Sequence, residues 1–445
     1  MNLKDEKYYF LGIGGIGMSA LAKYLFLEGY QVMGYDKTPT PLTTKLAELG
    51  LHIIFDASID AVPEPFRSPE TEVIFTPAIP KDHPQLLFFQ DQGNAIQKRA
   101  ALLGEITKST TVFAIAGTHG KTTTASFLTH LFDHLNMNFT AFLGGIMNGY
   151  ESNLISKGNQ YSIVEADEYD RSFLKLSPDF ACITTTDPDH LDVYGTPENI
   201  KETFAQFSSL VSQGVVAKRH VGLGTSSYSI EEQADYYAQQ LRPEAQGYFF
   251  NFVTPKQEFK DIYISSIGKH NLSNAIAALA LMDVAGLSVE KALPALANFK
   301  GIQRRMQLFS MGDKLIIDDY AHHPEEIKAV LDTVKEFYPS KKNLVIFQPH
   351  LFSRTQDFMT DFANILSKFD EVVLMDIYPA RERPIPGVTS DVLLEQITNP
   401  SKRKINNEAF QETVINAASE LVLILGAGDI GNYIHELRNE TINAT

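Results

Sequence analysis

A chain of 445 residues is longer than one hydrophobic core can organise, so two or three domains are expected. With 44% hydrophobic and 21% charged residues it has the balance of a soluble globular protein, and a net charge of −16 argues against nonspecific nucleic-acid binding. The lone cysteine, Cys182, excludes an internal disulfide, no apolar run is long enough to span a bilayer, and Met1–Lys7 lacks signal-peptide character, so the expected location is cytoplasmic, with no membrane partner.

In chain order, Tyr8–Leu11 reads as a short strand that runs into Gly12-Ile-Gly-Gly-Ile-Gly17 and then a helix through Leu27. Gly12, Gly14 and Gly17 match the dinucleotide fingerprint, and a second strand, Tyr30 to Tyr35, ends at Asp36 with the spacing of a ribose-binding acid. Such a turn shows only that a pyrophosphate can approach the backbone; a UDP-sugar carries the same group as NAD. The alternation continues with Glu72–Phe75 and a Pro-broken loop, Thr76–Pro80. The polar segment Ile106–Thr110 marks a first domain boundary.

Thr111–Ala116 then reads as a buried strand, and Leu128, Leu131 and Phe132 carry helical spacing. Between them lies Gly117-Thr-His-Gly-Lys-Thr-Thr123, a glycine-bracketed loop at a strand-to-helix junction. Its amides and the positive helix end can surround phosphates, with Lys121 reaching the terminal ones and the Thr122 hydroxyl holding Mg²⁺. The spacing departs from the general P-loop, because the first glycine comes two residues late. Two further strands, Gln160–Val164 and Phe180–Thr185, deliver Glu165-Ala-Asp-Glu-Tyr-Asp170 and Thr186-Asp-Pro-Asp-His-Leu-Asp192 towards the same loop. Glu165, which directly ends a strand, is the candidate carboxylate ligand for Mg²⁺, and His190 is a candidate ligand to a second ion. Asp167, Glu168 and Asp170 are expected to be solvated loop acids.

The stretch from about Gln213 to Ser266 has weak periodicity and reads as mixed strands and loops. Helices fit Leu272–Ala285 and Ser288–Ala297, and Asn298–Ile302 marks a second boundary. Strand and helix then alternate: Lys314–Asp318, Pro324–Phe337, Asn343–Phe347, Glu371–Met375 and Leu421–Leu425. A third glycine turn, Gly426–Gly431, reads as a plain tight turn.

Gly-Thr-His-Gly-Lys-Thr-Thr, Glu-Ala-Asp-Glu, Asp-Pro-Asp-His-Leu-Asp, Gly-Lys-His-Asn271, Asp318-Asp-Tyr-Ala-His-His-Pro324 and Phe347-Gln-Pro-His350 occur in the order found in the Mur ligases, which this chain resembles throughout its length. The resemblance implies an α/β protein of three domains. These are a Rossmann-like UDP-sugar-binding domain (1–106), a central P-loop ATPase domain with a mostly parallel sheet (107–301), and a Rossmann-like domain that closes over the amino acid (302–445). It implies ATP-driven ligation of L-alanine to the lactyl carboxylate of UDP-N-acetylmuramate through an acyl phosphate, in peptidoglycan synthesis. ATP would lie on Gly117, Thr118, His119, Gly120, Lys121, Thr122 and Thr123, with Asn271 at the adenine, Asp319 at the ribose and Arg304 or Arg305 at the γ-phosphate. Lys121, Glu165, His190 and Arg304 are the implied catalytic residues. Thr122, Glu165 and His190 are the implied ligands of two Mg²⁺ ions, for which Mn²⁺ is an alternative. Gly12, Gly14, Gly15, Gly17, Asp36 and Thr76 would take the UDP-sugar, and Tyr320, His322, His350 and Arg354 the amino acid. Asn271 has a second reading as a helix cap, and the arginines as interdomain salt bridges. Leu351 stands where some alanine-adding relatives carry Arg. A monomer or weak homodimer is expected.

Three rival functions remain open at this stage. A recycling ligase would attach a whole tripeptide to the same UDP-sugar, and Tyr169 resembles that version, whereas Arg171-Ser-Phe-Leu174 and Phe347–Thr355 look more like the alanine-adding one. A nicotinamide-dependent dehydrogenase built on Gly12–Gly17 leaves Gly117–Thr123 unused. A P-loop motor or switch leaves the N-terminal glycines unexplained.

Overall fold

The computed structural model describes residues 4–188, 191–380 and 382–443. The chain divides into two compact units, one of Met1–Leu241, Phe250–Ile264 and Ser273–Phe299, the other of Arg242–Phe249, Ser265–Leu272 and Lys300–Thr445.

The first unit begins with a five-stranded parallel sheet made of β1 (Lys7–Leu11), β2 (Gln31–Tyr35), β3 (His52–Ile54), β4 (Glu72–Phe75) and β5 (Ile96–Lys98), in the order β3-β2-β1-β4-β5. The order reverses around β1, and such a switch point opens a crevice beyond the carboxyl ends of the strands. There Gly12, at φ +85°, turns the chain into the helix Ile16–Leu27, a backbone conformation that glycine adopts without a Cβ penalty. That helix buries Met18, Leu21, Ala22 and Leu25 against the sheet and the neighbouring domain.

A ten-stranded sheet follows: β6 (Thr111–Ala116), β7 (Phe139–Met147), β8 (Ser152–Ser156), β9 (Tyr161–Glu165), β10 (Phe180–Ile183), β11 (Gly214–Lys218), β12 (Ser226–Ile230), β13 (Tyr236–Glu244), β14 (Gly247–Val253) and β15 (Glu258–Ile264). Its order is β15-β14-β13-β12-β11-β10-β6-β9-β7-β8. β6 is flanked by β9 and β10 in parallel, with Ile115 opposite Glu165 and Ala116 opposite Ile183. Three adjacent strands therefore end side by side, and the loops that follow them share one rim. β6 is buried on both faces, as expected of a continuous apolar run inside a parallel sheet. The helix Lys121–His134 packs on it through Phe127, Leu128, Leu131 and Phe132, all fully buried, with Phe127 stacked on Phe299 at 4.0 Å.

The stretch from 213 to 266 proves to be mostly strand, β11 to β15. Its buried face carries tyrosines, Tyr228, Tyr236 and Tyr248, beside Phe250 and Phe252. The Tyr236 hydroxyl donates to Asp283 at 2.9 Å, and the Tyr248 hydroxyl donates to Glu336. A core built of aromatic residues with polar tips looks polar in a hydropathy pattern. The helix expected over Ser288–Ala297 is α-helical only over Val289–Ala292 and becomes 3₁₀ over Leu293–Asn298. Pro294 has no N–H to continue the i→i−4 ladder.

The second unit holds a six-stranded sheet of β16 (Gln307–Met311), β17 (Lys314–Asp319), β18 (Asn343–Phe347), β19 (Glu371–Leu374), β20 (Lys402–Lys404) and β21 (Leu421–Leu425), ordered β16-β17-β21-β18-β19-β20. Only the β16–β17 pair is antiparallel. Side chains alternate between two cores, with Ile317, Val345, Leu423 and Leu425 on one face and Ile316, Ile346, Val422 and Ile424 on the other. Helix Pro324–Phe337 covers the first face with Ile327, Val330, Leu331 and Val334. No helix among the described residues is long and apolar enough to cross a membrane.

Candidate active site

The loop after β6 is shaped for close approach of its backbone. Gly117 and Gly120 have φ of +133° and +84°. A Cβ at Gly117 would lie 2.0 Å from the Thr184 hydroxyl, and one at Gly120 would lie 2.5 Å from the Asn274 side-chain oxygen. The segment after β10 supports the loop: the Thr118 and Thr185 hydroxyls are 2.7 Å apart, and the His119 amide donates to Thr185 at 3.0 Å. Thr185 and Asn274 are thus structural parts of this site that sequence reasoning missed. Thr185 could have been suspected as the last residue of the strand expected over Phe180–Thr185, which in the structure ends at Ile183, whereas Asn274 has no signal beyond following Gly-Lys-His-Asn271 by three residues.

Lys121 opens the helix and folds back over its own loop, donating to the carbonyls of Gly117 at 2.6 Å and Thr118 at 3.3 Å and pairing with Glu168 at 2.7 Å. The expectation that Glu168 is a solvated acid is wrong. Its carboxylate is 2% exposed, and the Tyr194 hydroxyl donates to its backbone carbonyl. Burial pushes the Glu168 carboxyl up to about 7, with Lys121 opposing the shift and Asp167 adding to it. Burial pulls the Lys121 ammonium down, but the carboxylates of Glu168, Asp167 and Glu165 more than offset this, leaving it above its ordinary value. The error has a physical source: polar residues in a strand-end loop look solvated unless the lysine that buries one of them is known. Asp167 and Asp170 are partly exposed but also paired, with Arg99 at 3.1 Å and Lys98 at 2.5 Å.

Glu165, the last residue of β9, accepts from the Thr122 hydroxyl at 3.0 Å and from the Gly144 amide at 2.9 Å. Gly144 is required there, since a Cβ would come within 2.4 Å of the carboxylate. A hydroxyl and a carboxylate held together beside this glycine loop form a hard oxygen pair of the kind Mg²⁺ takes alongside phosphate oxygens and water. His190, the third candidate metal ligand, lies outside the described residues. Among the described residues no group of three His, Cys, Asp or Glu side chains forms a metal cluster by itself.

A cleft of about 340 Å³ runs from the N-terminal glycine turn to Glu165, lined by Gly15, Gly17, Thr76, Arg99, Glu165 and Asp167 among others. Gly12 packs against Thr76, where a Cβ would lie 3.1 Å from its methyl. Asp36 accepts from the Gly14 amide at 2.7 Å and from Lys37 at 2.8 Å, so in this structure its carboxylate clamps the turn.

The second unit gathers the four residues expected around the amino acid. Tyr320, His322 and His350 follow one another at ring separations of 5.4 and 5.9 Å, and Arg354 Nη1 is 3.3 Å from His350 Nδ1. Tyr378, which the sequence did not single out, stacks on His350 at 5.8 Å. Leu351 is buried, with φ +71°, its amide donating to the Tyr378 carbonyl at 2.9 Å. Arg304 and Arg305 both sit over the Tyr320 ring. Arg304 also pairs with Asp318 at 3.4 Å and donates to the Gly426 carbonyl. The third glycine turn is therefore more than a reversal: a Cβ at Gly431 would meet the Arg304 guanidinium at 2.3 Å, so the turn cradles it.

Asp319 accepts from the amides of Met306 at 2.6 Å and Ala321 at 2.8 Å, and burial raises it to about 6 against the pull of Arg305. Asn271 is not a helix cap, because its helix begins at Lys269; its amide donates to the Ile267 carbonyl at 2.8 Å.

Residues 7–111 match the family model described as Mur ligase family, catalytic domain; residues 115–282 match Mur ligase middle domain; and residues 304–430 match Mur ligase, glutamate ligase domain. The chain is 46% identical to a UDP-N-acetylmuramate–L-alanine ligase of Flavobacterium johnsoniae, over 99% of this chain and 100% of the relative. It is 43% identical to one of Porphyromonas gingivalis, over 96% and 97%. The solved UDP-N-acetylmuramate–alanine ligase of Thermotoga maritima superposes with a TM-score of 0.85 at 30% identity, covering 99% of this chain and 100% of that one. A murein peptide ligase of Psychrobacter arcticus shares the fold at a TM-score of 0.74 and 22% identity, over 98% of each chain. With all three family models matched in order along the chain and relatives above 40% identity over nearly all of it, this protein belongs to the Mur ligase family.

Proposed function

We propose that this chain ligates L-alanine to the lactyl carboxylate of UDP-N-acetylmuramate at the expense of ATP, as a cytoplasmic step of peptidoglycan synthesis. The observation that carries the reading is the cleft itself. It has a glycine turn suited to a diphosphate at one end and, at the other, Glu165 bonded to Thr122 of the phosphate loop. A sugar nucleotide held by Gly12, Gly14, Gly15, Gly17, Asp36 and Thr76 would extend its acyl end towards the triphosphate held by Gly117–Thr123.

A carboxylate is a poor electrophile at neutral pH, so it must be activated before an amine can attack. Its oxygen attacks the γ-phosphorus, the bond to the β-phosphate oxygen breaks, and an acyl phosphate and ADP result. The neutral amine of alanine then attacks the acyl carbon and phosphate leaves. Phosphoryl transfer needs charge neutralisation and alignment more than covalent help. Lys121 supplies a cation at the terminal phosphates, and its release from Glu168 is part of that step. Mg²⁺ bound by Thr122 and Glu165, with a second ion at His190, would neutralise the remaining phosphate charge. In the second unit, Asn271 and Asp319 are assigned to adenine and ribose and Arg304 to the γ-phosphate. Tyr320, His322, His350 and Arg354 are assigned to alanine.

The test is steady-state ADP release with UDP-N-acetylmuramate present, compared across single amino acids and the tripeptide L-alanyl-γ-D-glutamyl-diaminopimelate. L-alanine should be used far more efficiently than any other acceptor. Preference for the tripeptide would assign the chain to the recycling reaction instead.

A further inference from the structure

Arg99 is a cation in a place where helix electrostatics disfavour one. A Cβ at Gly17 would lie 2.8 Å from its Nη1, so the guanidinium rests on the first turn of helix Ile16–Leu27. That turn has no acidic residue and no side-chain cap. Arg99 is itself the first residue of helix Arg99–Thr107, which likewise has no acid in its first turn. Helix N-termini carry partial positive charge, and a guanidinium set against them is unfavourable unless an anion joins it. In this structure the anion is Asp167, at 3.1 Å from Nη2, reaching across the cleft from the loop after β9. The Arg99 side chain is 20% exposed and that of Asp167 39%, so solvent and ligand can reach the pair.

We infer that Arg99 binds the diphosphate of the sugar nucleotide, and that Asp167 is a placeholder carboxylate which the diphosphate displaces. This rests on the UDP-sugar reading of the cleft. It makes Arg99 a binding residue in addition to the glycines, and gives Asp167 a role opposed to that of a ligand contact. The exchange puts one anion in place of another on the same guanidinium, and the displaced carboxylate, 39% exposed, turns to solvent at the modest cost of a partly exposed ion pair.

The two substitutions must then move affinity in opposite directions. Arg99→Ala should weaken UDP and UDP-N-acetylmuramate alike by about tenfold to a hundredfold, the scale of a charge-assisted contact, and Arg99→Lys should recover part of the loss. Asp167→Asn should tighten both ligands by about twofold to fivefold, the worth of a partly exposed ion pair that no longer has to be broken. Calorimetry on the full chain without ATP or metal reads this directly, with ADP binding by each variant as the check that it is folded. If the pair is only a brace between domains, both substitutions will weaken binding and the inference is overturned. A loss confined to UDP-N-acetylmuramate, with UDP unaffected, would overturn the diphosphate assignment by placing Arg99 at the lactyl carboxylate. Failure of the wild type to bind UDP-N-acetylmuramate at all would instead refute the sugar-nucleotide reading itself.

Discussion

Glu168→Gln isolates the buried carboxylate that pairs with Lys121. Glu168 lies 2.7 Å from Lys121 and is 2% exposed, and burial raises its carboxyl from 4.5 to about 7. A nucleotide phosphate brought to Lys121 takes away its counter-ion and adds negative charge beside it, so the carboxyl is pushed higher and takes up a proton. The sign follows from linkage: the complex binds more protons than the free protein, so affinity falls as pH rises above about 7. At pH 8, above that value, protonating Glu168 costs a factor of about ten in Kd. Gln mimics the protonated form, and the variant should therefore bind ADP about tenfold more tightly than wild type at pH 8 and nearly equally at pH 6. Calorimetry in EDTA, in two buffers of different ionisation enthalpy, would also show uptake of up to about one proton by wild type and close to none by the variant. The same group makes ligand-free stability fall with pH. Being raised, its contribution is fully present below its unfolded value of 4.5 and lost as pH rises to about 7, an interval of about 3 kcal/mol that the variant lacks. Weaker ADP binding by the variant at pH 8, or an unchanged pH profile, would refute the reasoning and make Glu168 a nucleotide contact.

Lys121→Ala should abolish ADP formation while leaving the Kd for UDP-N-acetylmuramate within about twofold, because Lys121 is assigned to the nucleotide and the glycine turn to the sugar; calorimetry and ADP release measure the two. Glu165→Gln keeps the acceptor for Thr122 and Gly144 but removes a charge, so activity should fall at least about a hundredfold and the Mg²⁺ concentration for half-activity should rise, read from metal titrations. Arg354→Ala should raise the KM for alanine by about tenfold to a hundredfold, with a much smaller effect on the KM for ATP, in steady-state kinetics.

What the sequence made legible were the parts that depend on local spacing. β6 with its loop, the strand ending at Glu165, and the first glycine turn were each found from residues within a short window, and each lies where expected. The helix Pro324–Phe337 matched to the residue because Pro at its start and a clean apolar stripe mark it. What stayed hidden depends on long-range pairing. β11 to β15 use tyrosines with distant partners in place of an apolar alternation. Glu168 is buried against Lys121, 47 residues earlier, and under Tyr194, 26 residues later. Tyr378 joins the cluster of Tyr320, His322 and His350 through a bridge to His350, for which no sequence spacing gives a signal. The third glycine turn reads as empty until Arg304 is seen lying in it.

On the proposed function, this chain forms one amide bond between alanine and the lactyl carboxylate for each ATP consumed. Mass spectrometry of the sugar nucleotide after incubation with ATP, Mg²⁺, UDP-N-acetylmuramate and L-alanine tests it most directly, with ADP counted in the same sample. The product should be heavier by one alanyl residue, formed one for one with ADP and absent without ATP. An unmodified sugar nucleotide under these conditions, with the product appearing only when the tripeptide replaces alanine, would contradict it.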